Sequence, residues 1–105
     1  MCHCQATIDM LKIDVEFYEW AALEAMLADP ASLRRVKQLA LELHTRELPW
    51  VGGATSAADF TQYWLLLRGL DALHFKIWHY APNYCCRSVT CCGMVYFINT
   101  DYRVG

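Results

Sequence analysis

Two short patterns carry the residue types that could do chemistry: Asp14 with Glu16, and Glu42 with His44. The members of each pair are two positions apart, so in an extended strand they share a face. Each pair closes an apolar run, Leu11-Lys12-Ile13 before the first and Val36-Lys37-Gln38-Leu39-Ala40-Leu41 before the second. Carboxylates gathered with an imidazole can hold a divalent cation, orient a substrate amine or hydroxyl, or remove its proton, with His44 the natural base near neutral pH. Asp14, Glu16 and His44 are accordingly the candidate catalytic residues and Glu42 a candidate substrate contact. Trp50, in a loop with Pro49, Gly52 and Gly53, is placed at a substrate mouth.

A plainer reading competes at each position. Acids at strand ends are often solvated, and Glu16 or Glu19 would favour the start of a following helix through its dipole. A histidine just past a strand is commonly exposed. Asp14 argues more strongly for a role, because it continues the strand pattern, where a buried carboxylate is costly without a partner. His79 and Tyr80 read as packing or surface residues, and Trp20, Trp64 and Trp78 as core.

Positioning these groups requires a strand over 10–16, where Leu11, Ile13 and Val15 alternate with Lys12, Asp14 and Glu16. Trp20, Leu23, Met26 and Leu27 then recur at helical spacing until Asp29-Pro30 stops the run, and a bridge over 31–35 leads to a second strand at 36–44. That is a βαβ unit, with a parallel pair as its default. Ser56-Ala57-Ala58-Asp59 fits a capping pattern that opens a helix through Leu73, with Phe60, Tyr63, Trp64, Leu67 and Leu70 on its apolar face. Strands over 75–80 and 94–99 close the chain, joined only by a loop and so antiparallel. The order β-α-β-α-β-β is that of an open α/β sheet, in which ligands sit outside the carboxyl ends of the parallel strands. That rule selects the two polar pairs.

The chain of 105 residues is a single domain at most. Apolar residues make up 56% and charged residues 19%, which excludes a disordered or low-complexity chain. A net charge of −2 lacks the positive field that nucleic acid or anionic membranes attract, so neither is expected as a partner. No apolar run is long enough to span a membrane, and no signal segment is visible. Strand-like sequence begins soon after Met1, so the domain is expected to start upstream. Gly-x-Gly-x-x-Gly, the P-loop and Gly-x-Ser-x-Gly are all absent, which leaves no phosphate cradle or nucleophile elbow. Cys85-Cys86 and Cys91-Cys92 could close a loop in an oxidising compartment. Cys2-His3-Cys4 lacks the knuckle spacing of structural zinc, and no resident metal is expected.

Taken together, Leu11-Lys12-Ile13-Asp14-Val15-Glu16, Glu19-Trp20 and the run from Val36 to His44 resemble the second half of a methyltransferase-like family related to the FkbM-type enzymes. In that family a strand ending Asp-x-Glu-Gly-x-Glu-Trp precedes a strand ending Glu-x-His. Leu66-Leu67-Arg68-Gly69-Leu70, Phe75-Lys76-Ile77, Asn83 and Tyr96-Phe97-Ile98-Asn99 are similar to the family's tail. The resemblance implies α/β architecture of a partial Rossmann-like class I methyltransferase sheet, ordered 3-2-1-4-5-7-6 when whole. This chain would supply strands four to seven, the last antiparallel, with flanking helices. It implies S-adenosylmethionine as cofactor, a small-molecule or glycan-like acceptor, and a secretory address, which would suit the cysteine pairs. The family's glycine-rich loop and acidic ribose-binding residue have no counterpart in this sequence, so the chain is expected to be incomplete for catalysis alone. Phe17 stands where the family has Gly, which is expected to alter the turn and crowd a ligand. The alternative is a non-catalytic α/β module that pairs, with itself or another chain, through an exposed first strand.

Overall fold

The computed structural model describes residues 7–46, 51–82 and 92–102. Its elements are β1 (Ile8–Ile13), α1 (Glu19–Leu27), α2 (Pro30–Leu33), β2 (Val36–His44), α3 (Ala57–Ala72), β3 (Phe75–Pro82) and β4 (Cys92–Asn99). They form one four-stranded sheet ordered β1-β2-β4-β3. β1 and β2 are parallel, with Leu11 beside Leu39 and Ile13 beside Leu41. β4 runs antiparallel to both neighbours, setting Phe97 beside Leu39 and Cys92 beside His44.

The expected α/β order is present, with two differences. β1 ends at Ile13, so Asp14 and Glu16 lie beyond the strand and not within it. The reason is the backbone: Glu16 and Phe17 both have left-handed φ, 50° and 90°, which breaks the pleat although the residue types continue to alternate. The bridge after α1 holds a helical turn of its own, with Pro30 in its first turn, where no N–H is needed, and Ser32 bonded to the Asp29 carboxylate at 2.8 Å.

The capping pattern ahead of α3 is realised in both directions, since Asp59 N–H donates to Ser56 Oγ and Ser56 N–H to Asp59 Oδ2. The core lies between the helices and one face of the sheet. It is built on Leu23, Leu33, Leu39, Leu41, Leu70, Phe75 and Phe97, each at most 2% exposed. α1 and α3 pack closely at Gly69, where a β-carbon would come within 2.8 Å of Leu27. Asn99 ties the far end of the sheet by donating to the Val36 carbonyl at 3.0 Å.

Trp20 and Tyr63 join the core as the sequence suggests, but Trp64 (61% exposed), Trp78 (57%) and Phe60 (56%) do not. The buried residues of α3 are Tyr63, Leu66 and Leu70, so its inward stripe is turned by about half a helical step from the anticipated one. Trp78, His79 and Tyr96 cluster on the sheet, ring centroids 5.4 to 5.7 Å apart. Tyr80 is also exposed, within the reading of it as a packing or surface residue. Among the described residues no helix is long and apolar enough to cross a membrane.

Candidate functional site

His44 ends β2 and is 3% exposed, although its neighbours are polar. Its burial is made tolerable by a residue that reads in sequence only as a helix start. Glu19, the first residue of α1, is fully buried, and its Oε1 lies 2.7 Å from His44 Nδ1. The same carboxylate gathers the turn behind β1: Val15 N–H donates to Oε2 at 2.9 Å and Phe17 N–H at 3.0 Å. Phe17 N–H also lies 3.3 Å from Nδ1, but the ionised carboxylate is nearer and the stronger acceptor. An ionised carboxylate only accepts, so the short Glu19 contact places the imidazole N–H on Nδ1.

Nε2, on the other side of the ring, has two acids near it. Glu42 Oε1 lies 3.5 Å from Nε2 and Asp14 Oδ1 lies 4.0 Å from it. Glu42 is largely buried (14% exposed), whereas Asp14 is 41% exposed at the lip. The structure thus brings Asp14, Glu42 and His44 together at the carboxyl ends of the parallel strands. Glu16 is exposed, and the cluster forms without it. Two positions onward from Asp14 would share its face only in an extended strand, and the left-handed turn removes that relation. Trp50 and Asn83 lie outside the described residues.

Trp20 fixes the same corner from the core side. Its Nε1 donates to the His44 carbonyl at 2.8 Å, and its ring stacks on Tyr63 at 3.9 Å with an 11° tilt. Glu19 and Trp20 are adjacent, so one turn of α1 holds both the side chain and the backbone of His44. Beyond Trp20 an apolar hollow of about 240 Å³ is lined by Leu43, Tyr63, Tyr80 and Val95. Cys92, the strand neighbour of His44, is disulfide-bonded. Cys2, Cys4, Cys85, Cys86 and Cys91 lie outside the described residues.

Phe17 keeps the left-handed turn that glycine would adopt without strain, at a cost of about 1 to 3 kcal/mol. It is half-buried, and the Arg46 guanidinium sits 5.4 Å from its ring centre. Arg46 in turn forks onto Asp59, Nε to Oδ2 at 2.8 Å and a terminal nitrogen to Oδ1 at 3.2 Å. The Arg46 bond, with the Ser56 N–H, holds the Asp59 carboxyl at about 2, below its ordinary 3.8. A carboxyl lowered on folding stabilises the fold above its unfolded value and loses that contribution as acid reaches the folded value. Stability should therefore fall between about pH 4 and pH 2, and Asp59→Asn should flatten that part of the curve in urea titrations followed by circular dichroism. An unchanged slope in the variant would show that Asp59 carries none of it.

No protein-family model matches the chain, and no solved structure matches it significantly. Among curated proteins it is similar to the probable methyltransferase-like protein 24 of Homo sapiens, 35% identical over 69% of this chain and 19% of the relative. The protein of that name from Rattus norvegicus is 33% identical over the same share of this chain and 20% of its own length. The chain thus spans about a fifth of these relatives. They match the family resemblance read from the sequence.

Proposed function

We propose, with the likeness to the probable methyltransferase-like protein 24 as premise, that this chain supplies the C-terminal portion of an S-adenosylmethionine-dependent methyltransferase domain. The observation that carries the reading is the cluster of Asp14, Glu42 and His44 at the carboxyl ends of β1 and β2, where open α/β sheets place their ligands. The order β1-β2-β4-β3 supports it, being the order 4-5-7-6 that the class I sheet has beyond its first three strands.

The described residues do not by themselves suit the cofactor. Gly52 and Gly53 lie well past the end of β2, and a crevice edged by carboxylates repels the carboxylate of a methionyl group. The contribution of this chain is on the acceptor side. Asp14 and Glu42 would orient an acceptor hydroxyl or amine, and together with Nε2 of His44 they form the electron-rich pole that draws off its proton. Glu19 acts through His44, fixing its tautomer and ring plane. Acceptors of small-molecule or glycan type fit, since they offer hydroxyls to acidic partners.

The position of β1 at the end of the sheet, with Met10 45% exposed, favours a second reading in which this strand pairs with another chain and no chemistry follows. One experiment separates the two. The endogenous protein carrying this sequence is captured and its intact mass measured, then assayed for transfer of tritiated methyl to glycan and small-molecule extracts. The methyltransferase reading expects a product about twice this length or more. It also expects transfer to fall at least about 100-fold in His44→Gln, with the unfolding midpoint retained. A product of 105 residues, or undiminished transfer in the variant, would overturn it.

A further inference from the structure

We propose that the rings of Trp78, His79 and Tyr96 form a platform that binds a glycan chain running to the pole of Asp14, Glu42 and His44. The inference rests on the reading of that pole as an acceptor site and gives the acceptor a class, an oligosaccharide. The observation that carries it is a β-bulge in β3. Ile77 pairs with Phe97 and His79 with Tyr96, so Trp78 is the extra residue of the strand. In a regular strand Trp78 and His79 would point to opposite faces. The bulge sets both rings against Tyr96, with centroids at 5.7 and 5.4 Å, and bulges recur beside functional sites because they re-aim a side chain in this way. The rings are tilted at 32° to 49° and not stacked face to face, and Trp78 remains 57% exposed.

Strand register puts the rings on the same side of the sheet as the pole. Leu39, Leu41, Val95 and Phe97 belong to the core, so their alternates Ala40, Glu42 and Tyr96 face the other way, with Ala40 opposite Tyr96 and Glu42 opposite Met94. From Glu42 to His79 is two strand spacings across and two residues along, about 12 Å. That span suits a short chain of sugars and exceeds a single one. The chemistry fits at both ends. One face of a pyranose is a patch of C–H groups whose partial positive charge is drawn to the electron-rich face of an aromatic ring. Its hydroxyls donate to carboxylates, which have lone pairs for several donors at once. Nucleobases also stack on exposed rings, but the adjoining pole is acidic and the chain has a net charge of −2, which repels a phosphate backbone.

The probes are chitotriose, cellotriose and maltotriose, titrated into the full chain without cofactor and followed by saturation-transfer NMR and tryptophan fluorescence. At least one should bind at millimolar concentration or below, with saturation strongest on its pyranose C–H protons. Trp78→Ala should weaken binding at least about 5-fold, as should Tyr96→Ala, whereas Trp78→Phe, which keeps a ring, should lose less. Circular dichroism accompanies each variant, and Trp78, being exposed, carries the test if Tyr96→Ala fails to fold. Asp14→Asn, at the exposed lip, should weaken binding too, because the sugar chain reaches the pole. Trp64→Ala, similarly exposed but on α3, should leave it unchanged. Binding of none of the three, binding indifferent to Trp78→Ala, or an equal loss in Trp64→Ala would each overturn the proposal. So would self-association of the sugar-free chain that Trp78→Ala abolishes, which would give these rings to a protein partner. Binding is read without methyl transfer, so sugars held by these rings with no transfer would support the platform and fail only the methyltransferase reading.

Discussion

Glu19→Ala should cost about 3 to 5 kcal/mol, the loss seen when one partner of a buried polar pair is removed. A domain of this size commonly has about 5 to 15 kcal/mol in all, so the variant should be partly unfolded without denaturant. Three donors lose their acceptor at once: Val15 N–H, Phe17 N–H and Nδ1–H of His44. Two of them belong to a turn whose left-handed residues 16 and 17 are held against their own preference. Glu19→Gln retains an oxygen and the shape of the side chain, so its loss should be clearly smaller. Glu24→Ala, on the exposed side of α1, should lie within about 0.5 kcal/mol of the parent. Urea unfolding of the three variants gives the ranking, and a Glu19→Ala loss no larger than that of Glu24→Ala would remove the buried carboxylate from the account of this fold.

Phe97→Ala should be similarly damaging, about 3 to 5 kcal/mol, for a different reason. Phe97 is 1% exposed on β4, beside Leu39 of β2 on one flank and Ile77 of β3 on the other. Its removal opens a void in the middle of the sheet, where hydrogen-bonded strands on both sides limit collapse. Trp64→Ala deletes a larger side chain but one that is 61% exposed, and should change stability by no more than about 0.5 kcal/mol. The contrast tests the inward stripe of α3: if Trp64→Ala approached Phe97→Ala, the helix would be rotated from its described orientation.

The elements with strong local signals were legible in the residues. β2 runs from Val36 to His44 because its apolar centre is buried on both faces, and α3 begins where Ser56 and Asp59 can cap each other. The β1 boundary was not, because alternation continues in the letters to Glu16 while the backbone turns at positions held by Glu and Phe, types that give no sign of positive φ. Strand-end spacing anticipates that Asp14 and Glu42 come near His44, as the structure places them. Glu19 reads in the sequence only as an acid at a helix start, which the dipole ordinarily explains, and the fold alone reveals the histidine beside it. Large apolar types suggest a covered position for Trp64 and Trp78, but Trp64 lies off the inward stripe of α3 and Trp78 lies in the exposed run of β3 from Lys76 to Tyr80.

The position of β2 has a dynamic consequence. It is bonded on both flanks, to β1 and to β4, whereas β1 has a neighbour on one side only among the described strands. Amide protons of β2 should therefore exchange last and those of β1 early, since an edge strand can detach in a partial opening that leaves the remaining sheet intact. His44 and Glu42 ride on the persistent strand, and Asp14 hangs from the labile one. The crevice is thus split across a seam of unequal lifetime, so a ligand bridging Asp14 to His44 would slow exchange most in β1, the strand that it helps to pin.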